Sequence, residues 1–113
     1  MRKIISTREY REVYNNNYRI SGTLFIFLIQ RNEPDKIKEP ESAIGIIASK
    51  KVGNAVKRNK VKRRVRAFLR ENNNLLPVNA KIVIIAKHKA GIASWNEIRE
   101  DLTKFFQNIN KKM

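Results

Sequence analysis

The sequence has no cysteine and a single histidine, so it forms no disulfide and no zinc ribbon or finger, and it offers few nitrogen ligands to any metal. It also lacks a long apolar run: the longest, Leu24 to Ile29, is far short of the roughly 20 residues that a membrane-spanning helix needs. The N-terminus has no apolar stretch of the signal-peptide kind, which leads to the expectation of a soluble, cytoplasmic protein without a membrane partner. Acid is scarce as well. Asp+Glu number 10 against Lys+Arg 25, a formal net charge of +15 on 113 residues. That length suits one domain, expected to occupy residues 1–113. What is present is apolar enough to fold it: 42% hydrophobic residues, including five Phe, three Tyr and one Trp, supply a small core and argue against disorder throughout. Fifteen uncompensated charges repel one another on a folded surface unless a polyanion neutralises them, and nucleic acid is the leading candidate for that partner.

The charge is local. Ser49 to Arg70 holds ten basic residues and no acidic one, whereas Arg31 to Ser42 mixes charges, carries two prolines and reads as a loop or hairpin connection. Ser6 followed by Glu9 matches a capping box, which predicts a helix over about Thr7 to Tyr14; Tyr10, Val13 and Tyr14 share one face, and Asn15-Asn16-Asn17 ends it. Leu24 to Gln30, Ala43 to Ser49 and Lys81 to Lys87 read as strands, with a shorter one at Tyr18 to Ser21. A second capping box, Ser94 to Glu97, opens a last helix whose Ile98, Leu102, Phe105, Phe106 and Ile109 form an apolar stripe. In the basic segment Val61, Val65, Phe68 and Leu69 lie on one side of a helical wheel, with Asn59, Lys62, Arg63, Arg66 and Arg70 opposite. The class that follows is α+β, with helices on one side of a small sheet.

A solvated basic helix face is a common finding with no functional meaning. Here, however, like charges stand at i, i+4 (Lys62 and Arg66; Arg66 and Arg70) where acids would normally be interspersed, and that repulsion implies a bound polyanion. Guanidinium groups one turn apart can hold phosphates through paired hydrogen bonds, and Asn59 adds an uncharged donor and acceptor suited to a base edge or a 2′-hydroxyl.

The run from Ser49 to Arg66, SKKVGNAVKRNKVKRRVR, resembles the block that marks the bacterial ribonuclease P protein subunit, an Arg-Asn-Arg motif followed by Lys-Arg and a further Arg. Lys60 stands where that motif has its second arginine, which keeps the charge and loses the bidentate fork. Tyr10-Arg11-Glu12-Val13-Tyr14 resembles the family's Phe-x-x-Val-Phe, with tyrosines for phenylalanines, and Leu24 to Leu28 and Ile82 to Ala90 resemble its first long strand and its last strand and basic turn. An asparagine run replaces a glycine after the first helix and shifts the match by about one residue ahead of Phe27. The resemblance implies an αβββαβα two-layer sandwich with a small mixed sheet and a left-handed βαβ crossover, similar to the second domain of ribosomal protein S5. It implies a protein that assists a catalytic RNA in removing the 5′ leader from precursor tRNA, an endoribonuclease subunit with no catalytic side chain of its own. No cofactor is implied for the protein alone, Mg²⁺ is implied for the holoenzyme, and no DNA partner is expected. Carried over by position, Lys51, Gly53, Asn54, Arg58, Asn59, Lys60, Lys62, Arg63 and Arg66 would face the RNA subunit, and Tyr10, Tyr14 and Phe27 would line a cleft for the single-stranded leader.

The remaining residues have plainer readings. Phe105 and Phe106 read as core and Trp95 as a packing lid; His88 between two lysines reads as a surface group or at most a phosphate contact. Glu97, Glu100 and Asp101 read as a helix cap and a solvated face rather than a Mg²⁺ cluster. Two alternatives differ in class. A ribosomal protein would share size and charge but not the long motif, and a membrane-surface protein would need an apolar face that Val61, Val65, Phe68 and Leu69 already give to the core.

Overall fold

The computed structural model describes residues 2–31 and 42–112, so most of the connection expected between Arg31 and Ser42 lies outside the described residues. In chain order the elements are β1 (Arg2–Lys3), α1 (Thr7–Asn15), β2 (Tyr18–Ser21), β3 (Phe25–Arg31), β4 (Ala43–Ile47), α2 (Ala55–Glu71), β5 (Ala80–Ala86) and α3 (Trp95–Lys112), with single 3₁₀ turns at Asn73–Leu75 and His88–Gly91. The sheet order is β1-β4-β5-β3-β2. β2 with β3 and β3 with β5 run antiparallel, whereas β4 and β5 run parallel and are joined through α2. All strands and helices read from the sequence are present, and every end that was set lies within two residues; no start was set for the basic helix, which begins at Ala55, and no end for the last one. β1 was not foreseen. It pairs Arg2 with Ala43 and Lys3 with Ile44, and two residues are too few to show a period.

Local chemistry explains the helix ends. Ser6 Oγ accepts the Glu9 N–H at 3.1 Å, but the Glu9 carboxylate does not return to Ser6 as a full capping box would; it accepts 2.7 and 3.0 Å hydrogen bonds from Arg2 and lies 3.5 Å from Lys81 Nζ. The Asn17 side-chain amide donates to the carbonyls of Val13 and Tyr14 and closes α1. At α3 the box is complete, with Glu97 N–H on Ser94 Oγ at 3.1 Å and Ser94 N–H on the Glu97 carboxylate at 2.9 Å.

The Arg2 hydrogen bond, and behind it the charges of Arg2 and Lys81, hold the Glu9 carboxyl below its ordinary value of 4.5 against the opposing effect of burial. A depressed carboxyl stabilises the fold above its unfolded pKa and loses that stabilisation as pH falls through the folded value. The stability difference between the native chain and Glu9→Gln should therefore be constant near neutrality and shrink below about pH 4.5. Urea titrations across that range would read it, and a difference independent of pH would show that the contact acts by packing alone.

Strand alternation divides the core in two. Phe25, Phe27 and Ile29 of β3, Ile44 of β4, and Ile82 and Ile84 of β5 point into a large cluster with Val61, Val65, Phe68 and Leu69 of α2 and Ile98, Leu102, Phe105, Phe106 and Ile109 of α3. The residues between them, Leu28 and Val83 with Ile26, Ile47 and Ile85, point the other way, toward Ile4, Val13 and Tyr10. The apolar stripes of α2 and α3 are thus where their spacing put them. The helices nevertheless occupy both faces of the sheet: α1 covers the face opposite α2 and α3, which corrects the expectation of helices on one side. A sheet covered on both faces needs apolar residues at consecutive positions, and FIFLI in β3 is such a run.

Candidate nucleic-acid interface

The segment entering α2 is shaped by its backbone. Gly53 has φ +144°, a conformation that L side chains rarely adopt, so a glycine is required at this turn. Asn54 follows as the N-cap, its side-chain oxygen accepting the Lys57 N–H at 3.0 Å. The preceding loop is held by the turn after β5, where His88 Nδ1 lies 2.9 Å from the Lys51 carbonyl. A carbonyl only accepts, so Nδ1 carries the proton and His88 is a surface group that anchors the basic loop.

Along α2, Asn59, Lys60, Arg63, Arg66 and Arg70 are exposed and Lys62 is half-buried. Among the described residues none of these five cations has a carboxylate within ion-pair distance; the ion pairs described join Arg2, Arg8 and Lys81 to Glu9 and Glu12 on the α1 side. Arg58, by contrast, stands one turn before Val61 on the packed flank, with its Nε enclosed and without a hydrogen-bond partner among the described residues. Arg64, which the motif does not single out, donates to the Ala93 carbonyl at 3.1 Å and ties α2 to the start of α3.

The strand register shows what the opposite face offers. Ile26 of β3, Ile85 of β5 and Ile47 of β4 lie side by side in one row, and Leu28, Val83 and Gly45 in the next. Val13 of α1 is buried in the cluster that contains Leu28 and Val83, while the isoleucine row remains half-buried. Glu9 and Glu12 lean toward Lys81, and the opposite flank of α1 carries Tyr10 and Tyr14; the Tyr10 ring lies over Gly45 and packs against the same small cluster as the isoleucine row. Tyr14 is 47% exposed. Burial raises the pKa of both phenols, and Tyr14, one turn further along α1, raises that of Tyr10 further.

Phe27 does not join them. It is fully buried on the α3 side, its ring stacked on Phe105 at a centroid distance of 3.7 Å and an interplanar angle of 4°. The expectation that it lines a cleft with Tyr10 and Tyr14 is therefore corrected: its neighbours Ile26 and Leu28 face α1 instead. Asp101 also departs from its solvated reading, since its carboxylate accepts the N–H groups of Thr23 and Leu24 at 2.9 and 3.1 Å and fixes the β2–β3 turn. No local sequence signal links partners 77 and 78 residues apart.

A helix that forgoes i, i+4 ion pairs to carry a row of cations is built to meet a polyanion, and proteins of this class are small nucleic-acid-binding domains. Comparison with known proteins narrows the class. The Ribonuclease P family model matches residues 1–110, and the chain belongs to this family. It is 32% identical over 110 residues to the ribonuclease P protein component of Citrifermentans bemidjiense, covering 97% of this chain and 90% of that one. The fold is shared with the RNase P protein of Staphylococcus aureus (TM-score 0.82, 24% identity, 98% and 96% of the two chains) and that of Thermotoga maritima (0.81, 24%, 96% and 97%). Family membership places the chain in a tRNA-processing endoribonuclease complex, as an RNA-binding component associated with ribonuclease P RNA. Among the described residues no helix is long and apolar enough to cross a membrane.

Proposed function

We propose that this chain is the accessory subunit of an RNA enzyme that removes the 5′ leader from precursor tRNA, with the chemistry carried out by the RNA and its Mg²⁺. The observation that carries the reading is the like-charged face of α2, whose cations have no carboxylate partners among the described residues. In this reading Asn59, Lys60, Lys62, Arg63 and Arg66 bind the RNA subunit. Lys51 adds a further cation, Gly53 sets the turn that presents it, Asn54 contributes as the cap that orients α2, and Arg58 contributes from the packed flank. The single-stranded leader lies on the isoleucine row beside Tyr10 and Tyr14, where stacking on an aromatic face tolerates any base and is worth roughly 1–3 kcal/mol per base.

Cleavage of 5′-labelled precursor tRNA at low Mg²⁺ tests this, using a bacterial ribonuclease P RNA with this protein, without it, and the protein alone. Cleavage at the mature 5′ end only in the mixture is the expected result. Failure of a cognate RNA to be stimulated would overturn the reading, and cleavage by the protein alone would locate the chemistry in the chain. In the same assay Tyr14→Ala, at a half-exposed position, should weaken precursor tRNA binding by about tenfold and leave mature tRNA binding unchanged.

A further inference from the structure

The edge of β4 holds a groove between the two RNA surfaces, lined in part by residues of each. Among the described residues β1 pairs with β4 only at Ala43 and Ile44, and after the Ile4 N–H has bonded the Ile44 carbonyl the chain turns away into the cap of α1. Beyond that point Tyr10, and among the described residues no strand, meets the edge. A Cβ on Gly45 would lie 2.6 Å from the Tyr10 ring, so the glycine is what admits the ring across the strand, and the Tyr10 oxygen receives a backbone hydrogen bond from Ile46. α2 forms the opposite wall. Between the walls is a groove of about 310 Å³ lined by Lys3, Ile5, Tyr10, Ile46, Lys62 and Arg66, among other residues, none of them acidic among the described residues. At the groove Ile5 is 84% exposed, although it is a large apolar side chain next to cations.

Lys62 and Arg66 stand one turn apart and repel each other, and among the described residues neither has a carboxylate partner. An anionic group between them would remove that cost, and an apolar or aromatic surface over Ile5 would cover it. The volume is at the lower end of the roughly 300–1,000 Å³ typical of small-ligand pockets, enough for one nucleotide and too little for a stretch of duplex. The groove lies at the sheet edge toward α2 and shares Tyr10 with the leader surface.

We propose that this groove seats one unpaired nucleotide of the RNA subunit, its phosphate between Lys62 and Arg66 and its base against Ile5 and the edge of Tyr10. The inference rests on the reading of α2 as the RNA-subunit face and adds a pocket to it: part of the interface recognises an extruded nucleotide rather than only a charged backbone.

The test compares Ile5→Glu with Gln107→Glu, which makes the same charge change on the exposed side of α3. Each is measured for affinity to the isolated RNA subunit and, as reconstituted holoenzyme, for precursor against mature tRNA. Ile5→Glu should weaken RNA-subunit binding by about tenfold and Gln107→Glu by less than about twofold, with the precursor-to-mature ratio unchanged in both. The uncharged Ile5→Ser should give an intermediate loss, which guards against an effect of folding or of charge alone. If the unaltered protein does not bind the RNA subunit, both readings fall. If it binds and the two glutamate variants behave alike, the groove alone falls. A selective loss of precursor over mature tRNA with RNA-subunit affinity intact would assign the nucleotide to the leader and overturn the proposal.

Discussion

Phe27→Ala should lower the free energy of unfolding by about 3–5 kcal/mol, as for other buried phenylalanines truncated in a packed core. The ring is fully buried, lies 3.7 Å from Phe105 and 6.1 Å from Phe25, and occupies the centre of a strand that pairs with both β2 and β5. Truncation removes the apolar burial, leaves a cavity that the sheet backbone cannot close, and forfeits a stacked aromatic pair. Small domains have only about 5–15 kcal/mol of stability in total, so the variant should show a large drop in urea midpoint. Phe27→Leu, which keeps most of the volume, should recover much of it. Under conditions where the alanine variant is still folded, its preference for precursor over mature tRNA should match that of the native chain. A selective loss of that preference with little loss of stability would put Phe27 on the leader surface after all.

The reason Phe27 could not be assigned from the sequence is the same reason it is so buried. Period-two alternation reports which side of a strand faces the core only when the other side is polar, and FIFLI is apolar throughout because α1 covers one face and α2 with α3 the other. A shift of one residue then exchanges the faces without leaving any mismatch in the pattern. The helices were legible because each has a polar side. Val61, Val65, Phe68 and Leu69 are buried and Arg63, Arg66 and Arg70 exposed, as their wheel positions required. Contacts between remote segments left no local trace. The grip of Asp101 on the β2–β3 turn, of Arg64 on the Ala93 carbonyl and of Tyr10 on the β4 edge all depend on which elements become neighbours. The motif, for its part, did not separate residues that fold the segment from those left free to bind: Asn54 caps α2 and Arg58 is turned into its packed flank, while Asn59, Arg63 and Arg66 stand clear.

The double variant Arg63→Ala/Arg66→Ala should reduce affinity for the RNA subunit by about a hundredfold at moderate salt, taking roughly 1.5 kcal/mol for each charge-assisted contact. It should also lessen the steepness with which log affinity falls against log salt by about 1.4–1.8, because each neutralised phosphate contributes about 0.7 on a single strand and 0.9 on a duplex. Filter binding between about 50 and 200 mM salt would read both quantities. Two comparisons separate binding from folding. Arg64→Ala removes an equal charge from the same helix, but its guanidinium already serves the Ala93 carbonyl, so it should lower stability by about 1 kcal/mol and leave most of the salt dependence in place. Removing Arg66 has the opposite sign: it relieves repulsion from Lys62 and Arg70 at i, i+4 and should raise the stability of the free protein by a few tenths of a kcal/mol while binding weakens. A residue kept for the fold cannot give that pair of results. If the double variant bound with an unchanged salt dependence, the phosphates would have to lie on another surface, and the absence of acids from Ser49 to Arg70 would need another cause.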